Sequence, residues 1–209
     1  MWRSAIPWAF QDFMELLFDD LAVLIDWSHP PRVLNTELES ISRRGLGGRR
    51  RVDCLIQVRI LGDDAPVSFH IEVQGRRQDE FSERLLVYGH RLYEACKGAT
   101  VVTLAVLTDT GIDWRPEGRS ATLGNLGLFQ RFGIAKVLDW RGREGELERS
   151  TNRFAPIIQA QLAVLETVRR PRQRYLKKAE LLKSLYRRGF SVADRVELLN
   201  YSRSQKGRR

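Results

Sequence analysis

The chain has 209 residues, of which 43% are hydrophobic and 29% charged, a composition typical of one ordinary globular domain. Its two cysteines exclude a disulfide framework and a cysteine-rich zinc site, and every apolar stretch is far shorter than the roughly 20 residues that a bilayer requires. We therefore expect a cytoplasmic protein without a membrane segment.

The formal net charge of +9 is concentrated at the C-terminus. Residues 169–209 contain 14 Lys and Arg against 3 Asp and Glu, whereas residues 1–168 are nearly neutral. Such a tail commonly binds a polyanion, with nucleic acid the first expectation and an acidic membrane surface the second, although a solvated basic helix pair gives the same pattern. The predicted phosphate contacts are Arg169, Arg170, Arg172, Arg174, Lys177, Lys178, Lys183, Arg187 and Arg188.

The first half of the chain alternates helical and extended patterns. Apolar residues at spacings of three and four predict a helix over residues 8–27, which His29-Pro30-Pro31 ends. Period-two alternation predicts two strands joined by turn residues at 62–66. The predicted order is helix 8–27, strands 32–42, 52–61 and 67–74, helix 79–97, and a strand 101–107 that is buried on both faces.

The second half carries weaker signals. The predicted elements are strands at 120–129 and 134–138, helices at 151–168 and 173–188, and a last helix through Tyr201. Gly189 is a stop signal, and Ser191 with Asp194 forms the start of the last helix. This order predicts an α/β fold with a mixed sheet, a core over residues 1–145 and a basic helical appendage over residues 146–209.

The hairpin between the two alternating strands predicts a shared polar face. If Ile60 lies opposite Val67, then Asp53 lies opposite Gln74, with Glu72 its diagonal neighbour on the same face. Two carboxylates on one face repel each other, so a divalent cation would neutralise both, and hard oxygen ligands suit Mg²⁺ or Mn²⁺. The alternative is a solvated strand with Glu and Gln on its outer face.

Asp53, the run His70-Ile71-Glu72-Val73-Gln74 and the helical pair Arg84 and Tyr88 together resemble the PD-(D/E)XK nuclease superfamily. More narrowly, they resemble its Rpn-type branch of recombination-promoting nucleases, whose members are often labelled transposases. The resemblance implies a restriction-endonuclease-like core of helix, three-strand meander, helix and strand. It also implies a metal-dependent endonuclease that hydrolyses DNA phosphodiester bonds in recombination or in a mobile element.

The resemblance also implies roles for single residues. Asp53 and Glu72 would hold Mg²⁺ or Mn²⁺, with the Val73 carbonyl as a third ligand, and Gln74 stands where the superfamily usually has lysine. Glutamine neither neutralises charge nor takes a proton, so a DNA-binding protein that keeps the fold with weak or no cleavage is the first alternative. Supporting roles fall to Glu37, Asp12, Glu15, Arg84 and Tyr88.

Each of these supporting residues also fits a plain structural role. The three acids are typical of exposed strand or helix charges, and Arg84 with Tyr88 is equally typical of a contact that fixes a helix to a sheet. His70 shares the predicted site face, where a structural histidine is favoured over a general base. A third class of function is a homo-oligomeric interaction module built on the C-terminal helices.

Overall fold

The computed structural model describes residues 2–34, 54–96, 99–123, 125–167 and 170–203. Its strands are β1 (Arg32–Val33), β2 (Cys54–Ile60), β3 (Asp63–Gln74), β4 (Thr100–Leu107), β5 (Gly118–Leu123), β6 (Leu126–Arg131) and β7 (Gly133–Lys136). Its helices are α1 (Trp2–Trp8), α2 (Phe10–Leu17), α3 (Asp19–Ala22), α4 (Phe81–Ala95), α5 (Glu144–Arg149), α6 (Ala155–Glu166), α7 (Pro171–Arg187) and α8 (Val192–Arg203). A 3₁₀ turn covers Val137–Trp140.

Five strands form one mixed sheet in the order β1-β2-β3-β4-β7, and β5 pairs with β6 in a separate hairpin. β1, β2 and β3 are antiparallel neighbours, whereas β4 and β7 run parallel to β3. α4 makes the crossover that a parallel β3–β4 pair requires. The predicted α/β fold with a mixed sheet is therefore confirmed. In the part of the chain described, no helix is long and apolar enough to cross a membrane.

The register between β2 and β3 differs by two residues from the predicted one. Val67 lies opposite Val58 rather than Ile60, and Ile71 lies opposite Cys54. A shift of two residues keeps every side chain on its original face, whereas a shift of one would exchange the faces. The predicted register was therefore wrong, while the predicted grouping of side chains by face holds for the paired residues.

The hairpin turn explains this difference. The loop consists of Leu61 and Gly62 alone, and Gly62 adopts a φ of 76° that favours glycine. β3 begins at once with Asp63, which pairs with Ile60 across an irregularity in the ladder. Pro66 lies within this irregular stretch and has no N–H to donate to the ladder. The longer turn predicted over residues 62–66 was wrong because residues 63–66 extend the strand.

The N-terminal helix is broken where a single helix was predicted over residues 8–27. The backbone leaves the helical conformation at Ala9 and again at Phe18. α3 ends at Ala22, and Ile25 forms an isolated antiparallel bridge with Ile60. Pairing with the edge of β2 thus replaces the last helical turn that the apolar spacing predicted.

The second half also departs from prediction at one hairpin. β5 and β6 replace the single strand predicted over 120–129, because the chain reverses between them. A Cβ at Gly118 would lie 2.2 Å from the Gln130 carbonyl oxygen, so this pairing requires glycine. The predicted end of the basic helix is confirmed by Gly189 with a φ of 72°. The predicted start of α8 is confirmed by Ser191 Oγ, which accepts the Asp194 N–H at 3.1 Å.

Helices cover both faces of the sheet. On one face, α1, α2 and α6 bury the main hydrophobic cluster, and this cluster continues across residue 146, where the predicted appendage begins. On the other face, α4 buries two smaller clusters, one around Leu55 and Leu92 and the other around Phe81 and Leu107. We call these the apolar face and the α4 face. Members of the main cluster include Phe13, Ile71, Leu104, Phe154, Ile158 and Leu185.

Candidate functional site

A strip of buried polar side chains lies on the α4 face between its two apolar clusters. Ser68, His70 and Glu72 alternate along β3 and so project to the same side, and Thr103 of β4 is the ladder partner of His70. His70 is 0% exposed and Glu72 is 6% exposed. Because carboxylates are rarely buried without a partner, this strip is the chemically distinctive part of the sheet. We call these four residues the polar strip.

His70 connects Glu72 to β4. Its Nδ1 lies 3.4 Å from Thr103 Oγ1, and its Nε2 lies 3.5 Å from Glu72 Oε1. Among the residues described, Nε2 has no hydrogen-bond partner. The Tyr88 ring of α4 packs against the imidazole with 6.0 Å between the ring centroids. The imidazole is therefore held by β4 and α4, with one nitrogen directed at the carboxylate.

Gln74 ends β3, and both ends of its amide are engaged. Oε1 accepts a hydrogen bond from Arg84 Nη2 at 3.0 Å, and Nε2 donates to the Arg76 carbonyl at 2.6 Å. Arg84 also donates to Gln78 and lies over the Phe81 ring, 5.1 Å from its centroid. The first turn of α4 thus places a guanidinium beside the glutamine that stands in the predicted lysine position.

The structure groups several of the predicted site residues. Glu72, Gln74, Arg84 and Tyr88 all lie on the α4 face, and the Val73 backbone lies between the two polar residues of β3. The remaining site acids predicted near the strands, Asp53 and Glu37, lie outside the described residues, as does Arg169 of the predicted phosphate contacts. Their roles stay predictions.

The structure does not bring Asp12 and Glu15 to this group. α2 packs on the apolar face, where Asp12 accepts the Arg153 backbone N–H at 2.6 Å and its Nε–H at 2.8 Å. Glu15 is exposed and accepts a hydrogen bond from Gln11 at 2.8 Å. Asp12 therefore ties α2 to the segment before α6, on the side of the sheet opposite Glu72.

A buried ion pair that the sequence analysis missed lies where β4 and β7 end. Lys136 Nζ donates to Asp109 Oδ1 at 2.9 Å and to the Trp114 carbonyl at 3.1 Å. Asp109 Oδ2 also accepts the Gly111 N–H at 2.8 Å, and Lys136 is 2% exposed. The available signal was a charged residue at or just after the end of each of two apolar strands, because parallel strands end at the same edge of a sheet.

The basic residues of the C-terminal helices differ in whether their side chains are exposed or paired with an acidic residue. Arg170 and Arg172 are exposed at the start of α7. Lys177 is exposed but pairs with Glu166, and Arg187 lies 3.9 Å from Glu148. Arg174 and Lys178 belong to α7, but the placement of their side chains lies outside the description. The exposed cations at the start of α7 are therefore the more accessible to phosphate.

The Arg188 guanidinium makes its contacts within the protein. Its guanidinium donates to Gln159 Oε1 at 3.2 Å and to the Ser150 carbonyl, and it lies over the Phe190 ring. Burial lowers the pKa of the Arg188 guanidinium below its usual range. These contacts join the end of α7 to α6 and to the segment before it, so Arg188 has a packing role, and the phosphate contact at Arg188 stays a prediction.

In comparisons with known proteins, no family model, no curated sequence and no solved structure matches the chain. The resemblance to recombination-promoting nucleases stays a prediction. Within the described ranges, no group of three or more His, Cys, Asp and Glu residues is placed to hold a metal ion. The polar strip provides one imidazole and one carboxylate, so a metal centre there needs a further ligand, and Asp53 is the predicted one.

Proposed function

We propose that the protein is a DNA endonuclease in which Asp53 and Glu72 hold Mg²⁺ or Mn²⁺. The observation that carries the proposal is the burial of Glu72 in the polar strip. This carboxylate is 6% exposed, and within the described residues its ionic contact is the His70 imidazole rather than a lysine or arginine. A buried carboxylate that faces no strong cation is suited to receive one.

The observed register supports the pairing of the two acids. Cys54 lies opposite Ile71, Asp53 precedes Cys54 in the sequence, and Glu72 follows Ile71. Antiparallel pairing extended by one residue would make the two acids direct partners, a relation in which Cβ atoms lie about 4.5–5.5 Å apart on one face. The proposal includes this extension. Direct partners suit a shared hard ion better than the diagonal neighbours predicted from sequence.

The other residues of this region have distinct roles in the proposal. The Val73 carbonyl would complete the oxygen ligands, and a bound ion would activate water and orient the scissile phosphate. Gln74 holds Arg84 through a 3.0 Å hydrogen bond. The guanidinium of Arg84 thereby supplies, beside the glutamine, the positive charge that a lysine would otherwise provide for the phosphate.

The C-terminal helices would hold the nucleic acid. Arg170, Arg172 and Lys183 are exposed, and cations of this kind neutralise phosphates without reading the base sequence. Arg188 is excluded from this set by its packing role. DNA is thus the proposed partner, with affinity that falls as salt rises.

A second candidate function is DNA binding without efficient cleavage. The observation that favours it is the engagement of the Gln74 amide, whose oxygen and nitrogen are both hydrogen-bonded within the protein. A side chain so engaged neither accepts a proton from water nor moves freely toward a phosphate. In this case the fold and the basic helices would serve binding alone.

Plasmid nicking in Mg²⁺ or Mn²⁺ tests the proposal. Wild type is expected to nick, while Asp53→Ala and Glu72→Gln lose about 100-fold or more of the rate, the scale for removing a group that acts on the transition state. Glu83→Gln is the matched control because Glu83 is an exposed acid of α4. Cleavage that survives Asp53→Ala would refute the site. DNA binding without cleavage in either metal would support the second candidate instead.

A further inference from the structure

His70 presents a fully buried nitrogen to the carboxylate of Glu72. Nε2 lies 3.5 Å from Glu72 Oε1 and has no hydrogen-bond partner among the residues described. Burial of a polar atom without a partner is unfavourable, so a ligand for this nitrogen is expected. A purely structural histidine would satisfy both of its ring nitrogens.

The separation of the two atoms indicates what that ligand is. An N–H···O hydrogen bond spans about 2.7–3.2 Å, which is shorter than the observed 3.5 Å. Two adjacent ligands of one octahedral ion, the geometry of Mg²⁺ and Mn²⁺, lie about 3.1 Å apart when each is about 2.2 Å from the ion. The observed spacing is longer than a direct hydrogen bond, and an approach of a few tenths of an ångström brings both atoms within reach of one ion, which would give the unpartnered nitrogen its ligand.

Thr103 orients the imidazole for this role. Its hydroxyl lies 3.4 Å from His70 Nδ1 and accepts a long, weak hydrogen bond from that N–H in the tautomer in which Nε2 carries the lone pair. Metal-binding histidines commonly donate their second ring N–H to a neighbouring acceptor in this way. Gly89 of α4 lies directly over the hydroxyl, since a Cβ built there would be 3.5 Å from Oγ1, so the helix closes the polar strip on this side.

We propose that His70 Nε2 and Glu72 Oε1 bind the same divalent ion, and that the imidazole makes the centre prefer Mn²⁺ to Mg²⁺. Mg²⁺ takes oxygen ligands almost exclusively, whereas the later divalent metals accept imidazole nitrogen and bind nitrogen-containing sites more tightly. The inference rests on the proposed function because it takes Glu72 as a metal ligand. It adds a nitrogen ligand and a metal preference to the proposed pair of acids.

Metal binding to the full-length protein tests the inference without any assay of cleavage. Titration calorimetry is expected to show Mn²⁺ binding about tenfold or more tightly than Mg²⁺. Pulsed electron paramagnetic resonance of the Mn²⁺ complex is expected to show a ¹⁴N coupling that changes when the histidines carry ¹⁵N. His70→Asn removes both the coupling and the preference for Mn²⁺. His90→Asn is the control, since that side chain is 75% exposed on α4, and it changes neither.

A second variant keeps the test decisive if His70→Asn fails to fold. Thr103→Val retains the imidazole but removes the hydroxyl that orients it, so it should weaken Mn²⁺ binding several-fold and leave Mg²⁺ binding unchanged. Mn²⁺ binding that Glu72→Gln abolishes but that shows no ¹⁴N coupling would overturn the nitrogen ligand and leave the proposed centre standing. Metal binding that Glu72→Gln leaves intact would overturn both the inference and the centre.

Discussion

The two faces of the central sheet are built from the same strands with different side chains. The apolar face receives alternate residues of β2, β3 and β4, and the hydrophobic ones among them pack against α1, α2 and α6. The α4 face receives the intervening residues, and on β3 these are polar in succession. Ile71 and Glu72 are adjacent in the chain, yet one belongs to the core and the other to the polar strip.

This contrast separates the apolar residues that stabilise the fold from the polar residues that are available to bind a ligand. Burial of apolar surface stabilises a fold by about 25 cal/mol per Å², whereas buried polar groups destabilise it unless they find partners. The apolar face therefore needs no ligand. The α4 face retains its polar groups by pairing them, as in Lys136 with Asp109, or presents them to a ligand, as proposed for Glu72.

The largest effect is expected from unpairing Lys136. Asp109→Ala leaves a fully buried ammonium group without its carboxylate, which should lower the free energy of unfolding by about 3–5 kcal/mol in urea denaturation. Asp139→Ala is the control, because its pair with Arg115 is half exposed and should contribute about 0–1 kcal/mol.

A double variant sharpens this prediction. Replacing both members, as in Asp109→Leu with Lys136→Met, should recover most of the lost stability because no charge is then buried alone. If Asp109→Ala proves no less stable than Asp139→Ala, the α4 face tolerates an unpaired charge and the contrast between the two faces is false.

Adjacent substitutions on β3 compare the two faces directly. Ile71→Ala removes a fully buried side chain of the apolar face and should cost about 2–5 kcal/mol of unfolding free energy, with Mn²⁺ affinity unchanged in the folded protein. Glu72→Gln keeps the side-chain shape, removes the charge and should abolish Mn²⁺ binding with a much smaller loss of stability. Urea denaturation and titration calorimetry on both proteins give the comparison. Equal destabilisation by the two changes would make the polar strip a structural feature.

The division into faces was predictable from sequence because it depends on local alternation. β2 and β3 alternate with period two, and α4 carries one apolar stripe, so their existence and orientation followed from spacing alone. The register did not follow, because Gly62 and the irregular stretch around Pro66 set it, and several turn lengths fit the same residues. The prediction of which side chains share a face of the sheet held because the register shift is an even number of residues.

The candidate site was predictable only where neighbours in space are near in sequence. Glu72, Gln74 and Arg84 belong to one strand and the helix that follows it, so their grouping followed from the order of elements. Lys136 and Asp109 meet through the parallel pairing of β4 and β7, and no local pattern indicates that these two strands are neighbours. The packing role of Arg188 did not follow from the sequence, because a count of charges carries no information about burial.

The C-terminal cations extend the comparison from the sheet to the helices. Arg172→Ala removes an exposed cation and should lower DNA affinity several-fold, with the slope of log affinity against log salt reduced by about 1. Arg188→Ala removes a packed guanidinium and should lower the melting temperature while leaving that slope unchanged. Fluorescence anisotropy across a salt series and thermal unfolding separate the two. A reduced slope in Arg188→Ala would return that residue to the DNA-binding set.

The smallest effect is expected at Asp26, in the exposed segment after α3. Hydrogen bonds from Ser28 and His29 lower the pKa of the Asp26 carboxyl below its ordinary value. A lowered folded-state pKa stabilises the protein above the unfolded-state pKa, and this contribution is lost as the pH falls through the folded-state value. Asp26→Asn should therefore lower the melting temperature slightly near neutral pH and not in strong acid. A difference that grows as the pH falls would contradict the assigned sign and would show that the carboxylate is not the stabilising form.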